Sequence, residues 1–203
     1  MNHLIQLRHA LHQFPEIAQE EHNTALKIME FFVPLGADLT IENLGGTGLA
    51  FVFKGKKPGK RVLFRCELDA LPIEDLKPSD HQSQIPGKGH LCGHDGHMTI
   101  ICGLGEKLSQ NRPESGEVVL LFQPAEETGE GAKAILEDPR FEEIRPDAAF
   151  ALHNLPGYPL HQVVMRKGTF AAGSTGMTIS LTGKTSHSAH PEAGINPAQA
   201  LAK

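Results

Sequence analysis

Glu117-Val118-Val119-Leu120-Leu121-Phe122 runs directly into Gln123-Pro124-Ala125-Glu126-Glu127-Thr128-Gly129. A short apolar run bounded by Pro113 before it and Pro124 after it reads as a buried strand that ends on carboxylates. Upstream, the spacing predicts a helix from about His97 to Leu108. Downstream, a helical stretch around Ala132 to Leu136 precedes another apolar strand, Ala148 to Leu152. Strands alternating with helices pack most economically as helices over a sheet, so the expected fold is α/β, a three-layer sandwich with a mixed sheet.

Further outward, Leu4, Leu7, Ala10 and Leu11 recur at helical spacing over Leu4–Phe14, and Pro15 ends that helix. A second helix is expected from about Glu20 to Phe32, with Ala25, Ile28, Met29 and Phe32 facing inward and Pro34 and Gly36 closing it. Leu49–Phe53 and Arg61–Leu68 are β-rich runs joined by Lys56-Lys57-Pro58-Gly59-Lys60, which reads as a hairpin. Residues 72–91 carry Pro, Gly, Ser, Asp and Lys without period and read as an exposed loop.

The texture changes near residue 170, where Gly168-Thr169-Phe170-Ala171-Ala172-Gly173 forms a small-residue crossing. Met177–Leu181 then alternates as a half-buried strand, and Asn196-Pro197-Ala198-Gln199-Ala200 opens a helix with Pro in its first turn. Residues 1–170 are therefore expected to form one domain and 171–203 the beginning of a smaller, truncated one.

Composition narrows the function. Of 203 residues, 39% are hydrophobic and 21% charged, enough apolar material for a sizeable core. Nineteen Lys and Arg against 24 Asp and Glu give a net charge of -5 with no basic run, which argues against a nucleic-acid partner. The N-terminus lacks the pattern of a signal peptide, and no apolar run is long enough for a bilayer, which argues against a membrane partner. Cys66, Cys92 and Cys102 are an odd number without scaffold spacing, and they point to reduced thiols and a cytoplasmic protein.

Four places carry groups suited to a metal. Cys92-Gly93-His94-Asp95-Gly96-His97 offers a thiolate and two imidazoles on a loop entering a helix. A lone Cys is more often a small buried hydrophobe and a lone His a hydrogen-bonded surface residue, so the combination carries the argument. Glu126 and Glu127 follow a strand end, where irregular backbone lets one bind a metal while its neighbour addresses a water. Paired glutamates are also common at solvated helix starts. His153 in Ala151-Leu152-His153-Asn154-Leu155-Pro156 and the acidic residues of Arg65-Cys66-Glu67-Leu68-Asp69 end two further apolar strands. Strand ends of open α/β sheets converge on one cleft.

Taken in order, these segments resemble the M20 metallopeptidase clan, and within it the amidohydrolases that include hippurate hydrolases, plant auxin-conjugate hydrolases and N-acetyl-diaminopimelate deacetylases. Leu7-Arg8-His9-Ala10-Leu11-His12-Gln13-Phe14-Pro15-Glu16, Asp69-Ala70-Leu71-Pro72-Ile73, the Cys92–His97 loop, Pro124-Ala125-Glu126-Glu127 and His153-Asn154-Leu155-Pro156 carry the likeness.

The resemblance implies that Cys92, His94, Glu127 and His153 hold two divalent ions (zinc, manganese, nickel or cobalt), that Glu126 is general base and acid, and that Asp69 supports the metals. It also implies a small-molecule N-acyl amino acid as substrate and a lid domain that mediates homodimerisation. In Gly183-Lys184-Thr185-Ser186-His187-Ser188-Ala189-His190-Pro191, His187 would polarise the substrate carbonyl. Glu67 departs from the pattern, since relatives usually carry Asp there. A further histidine that completes the metal pair in the family is expected beyond this stretch of sequence. Two other readings stand beside the amidohydrolase: a truncated, non-catalytic metal-binding or dimerisation module, and a related aminoacylase or dipeptidase. Against the second of these, such relatives carry an aspartate where this loop supplies Cys and His.

Overall fold

Val119 to Gln123 are buried along their whole length, and the strand they belong to, β4 (Glu117–Gln123), takes the middle of a five-stranded sheet. The computed structural model describes residues 2–170, 173 and 177–201, in two units, Met1–Pro156 and Gly157–Lys203. In the first unit, helices α1 (Asn2–Gln13) and α2 (His22–Phe32) precede β1 (Leu39–Leu44), β2 (Gly48–Lys54) and β3 (Arg61–Glu67). Then come α3 (His94–Gln110), β4, α4 (Gly131–Glu137), a 3-10 turn over Pro139–Ile144 and β5 (Ala148–Ala151).

The sheet order is β1-β2-β4-β3-β5, with β1, β2 and β4 antiparallel in turn and β3 parallel to both β4 and β5. This mixed sheet corrects one expectation. The runs Leu49–Phe53 and Arg61–Leu68 do form strands β2 and β3, but not a hairpin, because β4 lies between them. The basic loop that joins them clasps the start of β4 instead. Gly55 N donates to Gly116 O, Lys56 N to Pro113 O, Gly116 N to Lys57 O and Glu117 N to Lys60 O, at 2.8 to 3.0 Å. A side chain at Gly116 (φ +80) would put its Cβ 2.1 Å from Lys60 O, so the clasp requires glycine there. β1 was not anticipated: Asn43 (φ 54) and the bulge between Ile41 and Leu44 interrupt its alternation.

Strand periodicity sorts the core into two layers. Leu49, Phe51 and Phe53 of β2 and Leu120 and Phe122 of β4 pack with Leu11, Ile28, Phe32, Met98 and Ile101 from α1, α2 and α3. Ala50, Val52, Val119 and Leu121 face the other way, onto Ile135, Phe141 and Ile144. With both faces covered, β2 is buried from Gly48 to Phe53, which explains why it reads as a continuous apolar run. Phe32 stacks on Phe51 at 3.9 Å between centroids and meets Phe122 edge-on, locking α2 to the sheet.

The parallel strands β3, β4 and β5 deliver their carboxyl ends to one side of the sheet, at Glu67, Gln123 and Ala151. Just past those ends lie Asp69, Glu126 with Glu127, and His153.

The described part of the second unit contains a single antiparallel bridge, Lys184–Ile195, a 3-10 turn over Pro191–Ala193 and a short helix, α5 (Ala198–Leu201). The expected strand over Met177–Leu181 is absent. Met177, Ile179 and Leu181 are exposed, and no described strand offers them a hydrogen-bonding edge. The crossing at Gly168–Gly173 lies in part outside the described residues. Among the described residues, no helix is long and apolar enough to cross a membrane.

Candidate metal centre

Gly93, in a left-handed conformation (φ 97), is the N-cap of α3 and turns the chain so that His94 opens the helix, fully buried. The His94 Nδ1–H donates to the Asp69 backbone carbonyl at 2.8 Å. A carbonyl can only accept, so this bond fixes the tautomer and leaves a lone pair on Nε2, the arrangement that ligating histidines use. That Nε2 is buried without a partner and lies 3.8 Å from both Glu126 Oε2 and Glu127 Oε1. His153 repeats the logic: its Nδ1 donates to Asn154 O at 2.8 Å, and its Nε2 faces Cys92 Sγ at 3.4 Å.

Three sets of donor atoms each gather within 4.8 Å: Cys92, His94 and His153; His94, Glu126 and Glu127; and Glu67, His94 and His97. The first two bring together the predicted ligands and the predicted base, with His94 shared between them. Asp69 does not offer its side chain outward. Its Oδ2 accepts from Glu127 N at 2.9 Å and its backbone carbonyl accepts from His94 Nδ1, so the residue holds both, while Oδ1 lies 3.6 Å from His94 Nδ1.

Burial and neighbouring carboxylates together shape the electrostatics of the centre. Burial, then a hydrogen bond to Glu127 and the charges of Glu127, Glu126 and Glu67, push the Cys92 thiol up to about 12. His94 is drawn above its usual value. Burial opposes its charge, but the Asp69 carboxylate and the Glu67 charge outweigh burial. Burial likewise opposes ionisation of Asp69, yet its contact with His94 and the Glu127 and Glu126 backbone N–H groups hold it low. Buried Glu127 Oε1 and His94 Nε2 face each other with nothing between them to satisfy either. A divalent cation matches this donor set of thiol, imidazoles and carboxylates, and it would reverse the penalty on the thiolate.

The third donor set belongs to a brace. His97 Nδ1 donates to Glu67 Oε2 at 2.9 Å, and its Nε2 meets Asn154 at both Oδ1, 2.7 Å away, and the backbone N, 3.0 Å away, so both ring nitrogens of His97 are used. Glu67 also pairs with Arg65, whose Nε reaches Gln123 Oε1 at 2.8 Å. Burial disfavours the Glu67 charge, but His97 and Arg65 more than compensate and hold its carboxyl low. The Asn154 side chain packs on Gly93, where a Cβ would come within 2.7 Å of it. The brace therefore ties the Cys92–His94 loop to the residue after His153.

His187 stands in the second unit. It is exposed, and its Nδ1 accepts from Ala189 N at 3.2 Å. Sequence reasoning missed Glu21 altogether. It is a fully buried carboxylate whose Oε1 accepts from Ala125 N at 2.8 Å and whose Oε2 accepts from Thr47 Oγ1 at 2.7 Å. It also missed Asp95, which anchors α1 to the start of α3 through Arg8 Nε and His12 Nδ1, both at 3.0 Å.

A parallel-strand rim that collects one thiol, two imidazoles and two carboxylates defines an α/β protein with a candidate metal centre. The model of peptidase family M20/M25/M40 matches residues 63–202, and the chain belongs to that family. It is 37% identical over 193 residues to an N-acetyldiaminopimelate deacetylase of Lactobacillus helveticus, covering 93% of this chain and 50% of the relative. It is 38% identical over 188 residues to the protein of the same name from Enterococcus faecalis, again with 93% and 50% covered. The fold is similar to that of the Bacillus subtilis YXEP protein, described as a dinuclear metal binding peptidase from the M20 family. That match has a TM-score of 0.72 and 33% identity, covering 78% of this chain and 44% of the other. The chain thus spans about half the length of the curated relatives it matches.

Proposed function

We propose that this chain carries the metal centre of a two-metal amidohydrolase that cleaves the amide of N-acyl amino acids. The observation that carries the reading is His94 Nε2, buried, without a partner and 3.8 Å from both Glu126 and Glu127. Cys92, His94, Glu127 and His153 would hold the divalent cations, with zinc, manganese, nickel and cobalt all compatible with the donor set. When bound, the cations supply Lewis-acid polarisation of the carbonyl and a more acidic water.

Glu126, with its side chain 35% exposed, remains accessible to water while facing His94. It takes a proton from the attacking water as the new C–O bond forms and returns a proton to the amine as the C–N bond breaks. The products are a carboxylate and an amino acid. Asp69 keeps His94 and Glu127 in place, and His187 donates a hydrogen bond to the developing oxyanion from the lid that begins within residues 171–203. The deacetylase relatives support a small N-acyl amino acid as substrate, and the three free cysteines support a reducing, cytoplasmic setting. The lid's family role supports a homodimer.

Elemental analysis of metal per chain, with hydrolysis of N-acetyl and N-benzoyl amino acids, tests the reading. Bound metal together with amide cleavage, in this chain or in one extended to the length of its relatives, is expected. An extended chain that carries no metal sinks the proposal.

A further inference from the structure

The carboxylate pair stands on a strained turn. Ala125 has φ +47, a left-handed conformation that an alanine adopts only at a cost. The turn is closed on its far side by Gly131 N donating to Ala125 O at 3.0 Å, and a Cβ at Gly131 would fall 1.6 Å from Pro124 O. On its near side the Ala125 N–H has one partner, Glu21 Oε1 at 2.8 Å.

Glu21 is 0% exposed, and among the described residues no Lys, Arg or His pairs with it. Its remaining contact is the Thr47 hydroxyl at 2.7 Å. A carboxylate buried this way costs stability and is retained only where its hydrogen bonds accomplish something. The loop that carries it also bridges to the strand end holding Asp69, since Ala70 N donates to Glu16 O at 2.8 Å.

We infer that Glu21 is a positioning residue of the metal centre: by holding the Ala125 N–H it forces the left-handed turn that aims Glu126 and Glu127 at His94. This inference rests on the metal reading above. Glutamine in place of Glu21 keeps an oxygen for Ala125 N–H and offers its NH₂ to the Thr47 oxygen. An apolar residue leaves Ala125 free to relax toward ordinary φ, swinging both carboxylates away from His94.

The test is titration of the chain extended to the length of its relatives with cobalt(II), following the thiolate-to-cobalt absorption that reports Cys92. Glu21→Leu is expected to weaken cobalt binding by about 10- to 100-fold, as loss of an outer support does in metal sites. Glu21→Gln is expected to rescue most of that loss. Adding Ala125→Gly to Glu21→Leu should recover part of it, because glycine adopts positive φ without strain. Should Glu21→Leu fail to fold, Thr47→Val removes one hydrogen bond from the same carboxylate and should weaken binding about two- to tenfold. Wild-type affinity in a folded Glu21→Leu chain, or in Thr47→Val where that is the variant available, overturns the positioning role. A wild-type chain that shows no cobalt absorption overturns the metal reading beneath it.

Discussion

His94 and His97 lie one helical turn apart on α3, are both buried, and have opposite fates. His97 has a partner at each nitrogen, Glu67 on one side and Asn154 on the other. His94 has a partner only at Nδ1, and its Nε2 faces two carboxylates across 3.8 Å with nothing between. Buried polar groups are nearly always satisfied, so the two environments mean different things. The completed set is a brace that holds backbone in place, and the other is where we propose that a cation binds. On that proposal, neighbouring residues of the same type in one loop divide into support and ligand by what the second nitrogen meets.

The variant that strikes this contrast hardest removes only the proton-carrying capacity of the unfinished set. Glu126→Gln keeps shape and an oxygen, so in a chain extended to the length of its relatives it should retain metal but lose about 10²- to 10⁴-fold in kcat for amide hydrolysis. Undiminished kcat would remove Glu126 from the role of base. Next, Cys92→Ser replaces a thiolate ligand with a neutral hydroxyl, and metal affinity should fall by more than the roughly 100-fold that loss of an outer support costs. Equal metal content in dialysed wild-type and variant chains would place the cation elsewhere. Within the brace, His97→Ala should act less directly. It strips Glu67 and Asn154 of a shared partner, so metal affinity should weaken about 10-fold, with a stability loss of about 1–3 kcal/mol by urea unfolding. If His97→Ala proved as damaging to metal binding as Cys92→Ser, His97 would be a ligand and the contrast would be wrong.

The elements were legible where local pattern decides them. α1, α2, α3 and the strands β2, β3, β4 and β5 all follow from apolar spacing and proline boundaries. Pairing was not legible. Nothing in Leu49–Phe53 or Arg61–Leu68 says that a strand starting at Glu117 will insert between them, because the apolar drive to centre β4 is a property of the whole sheet. The candidate site was legible through side chains whose chemistry is conspicuous, Cys92, His94, Glu126, Glu127 and His153, which the structure gathers into two donor sets that share His94. Its supports stayed hidden. Glu21 sits in Glu20-Glu21-His22, which reads as a solvated helix start, and only the packing of Thr47 and Ala125 around it turns it inward. His94 and His97 both stood out as imidazoles of one loop, because sequence does not show which nitrogens are already used.

The gentlest way to sharpen the contrast is Glu67→Asp, which keeps the charge and shortens the reach. Glu67 is 0% exposed and serves both Arg65 and His97, so withdrawing one methylene leaves a small void and lengthens whichever bond cannot follow. Arg65 is long and part exposed and can follow; the His97 ring is fixed by Asn154 N at 3.0 Å and cannot. The expected cost is about 0.5–1.5 kcal/mol, the range for losing a single buried methylene, seen as a lower urea midpoint at unchanged slope. Metal per chain should not change, because the carboxylate belongs to the brace and not to the donor set. A Glu67→Asp chain with wild-type stability but depleted metal would reverse that assignment and make Glu67, with His94 and His97, a ligand set in its own right.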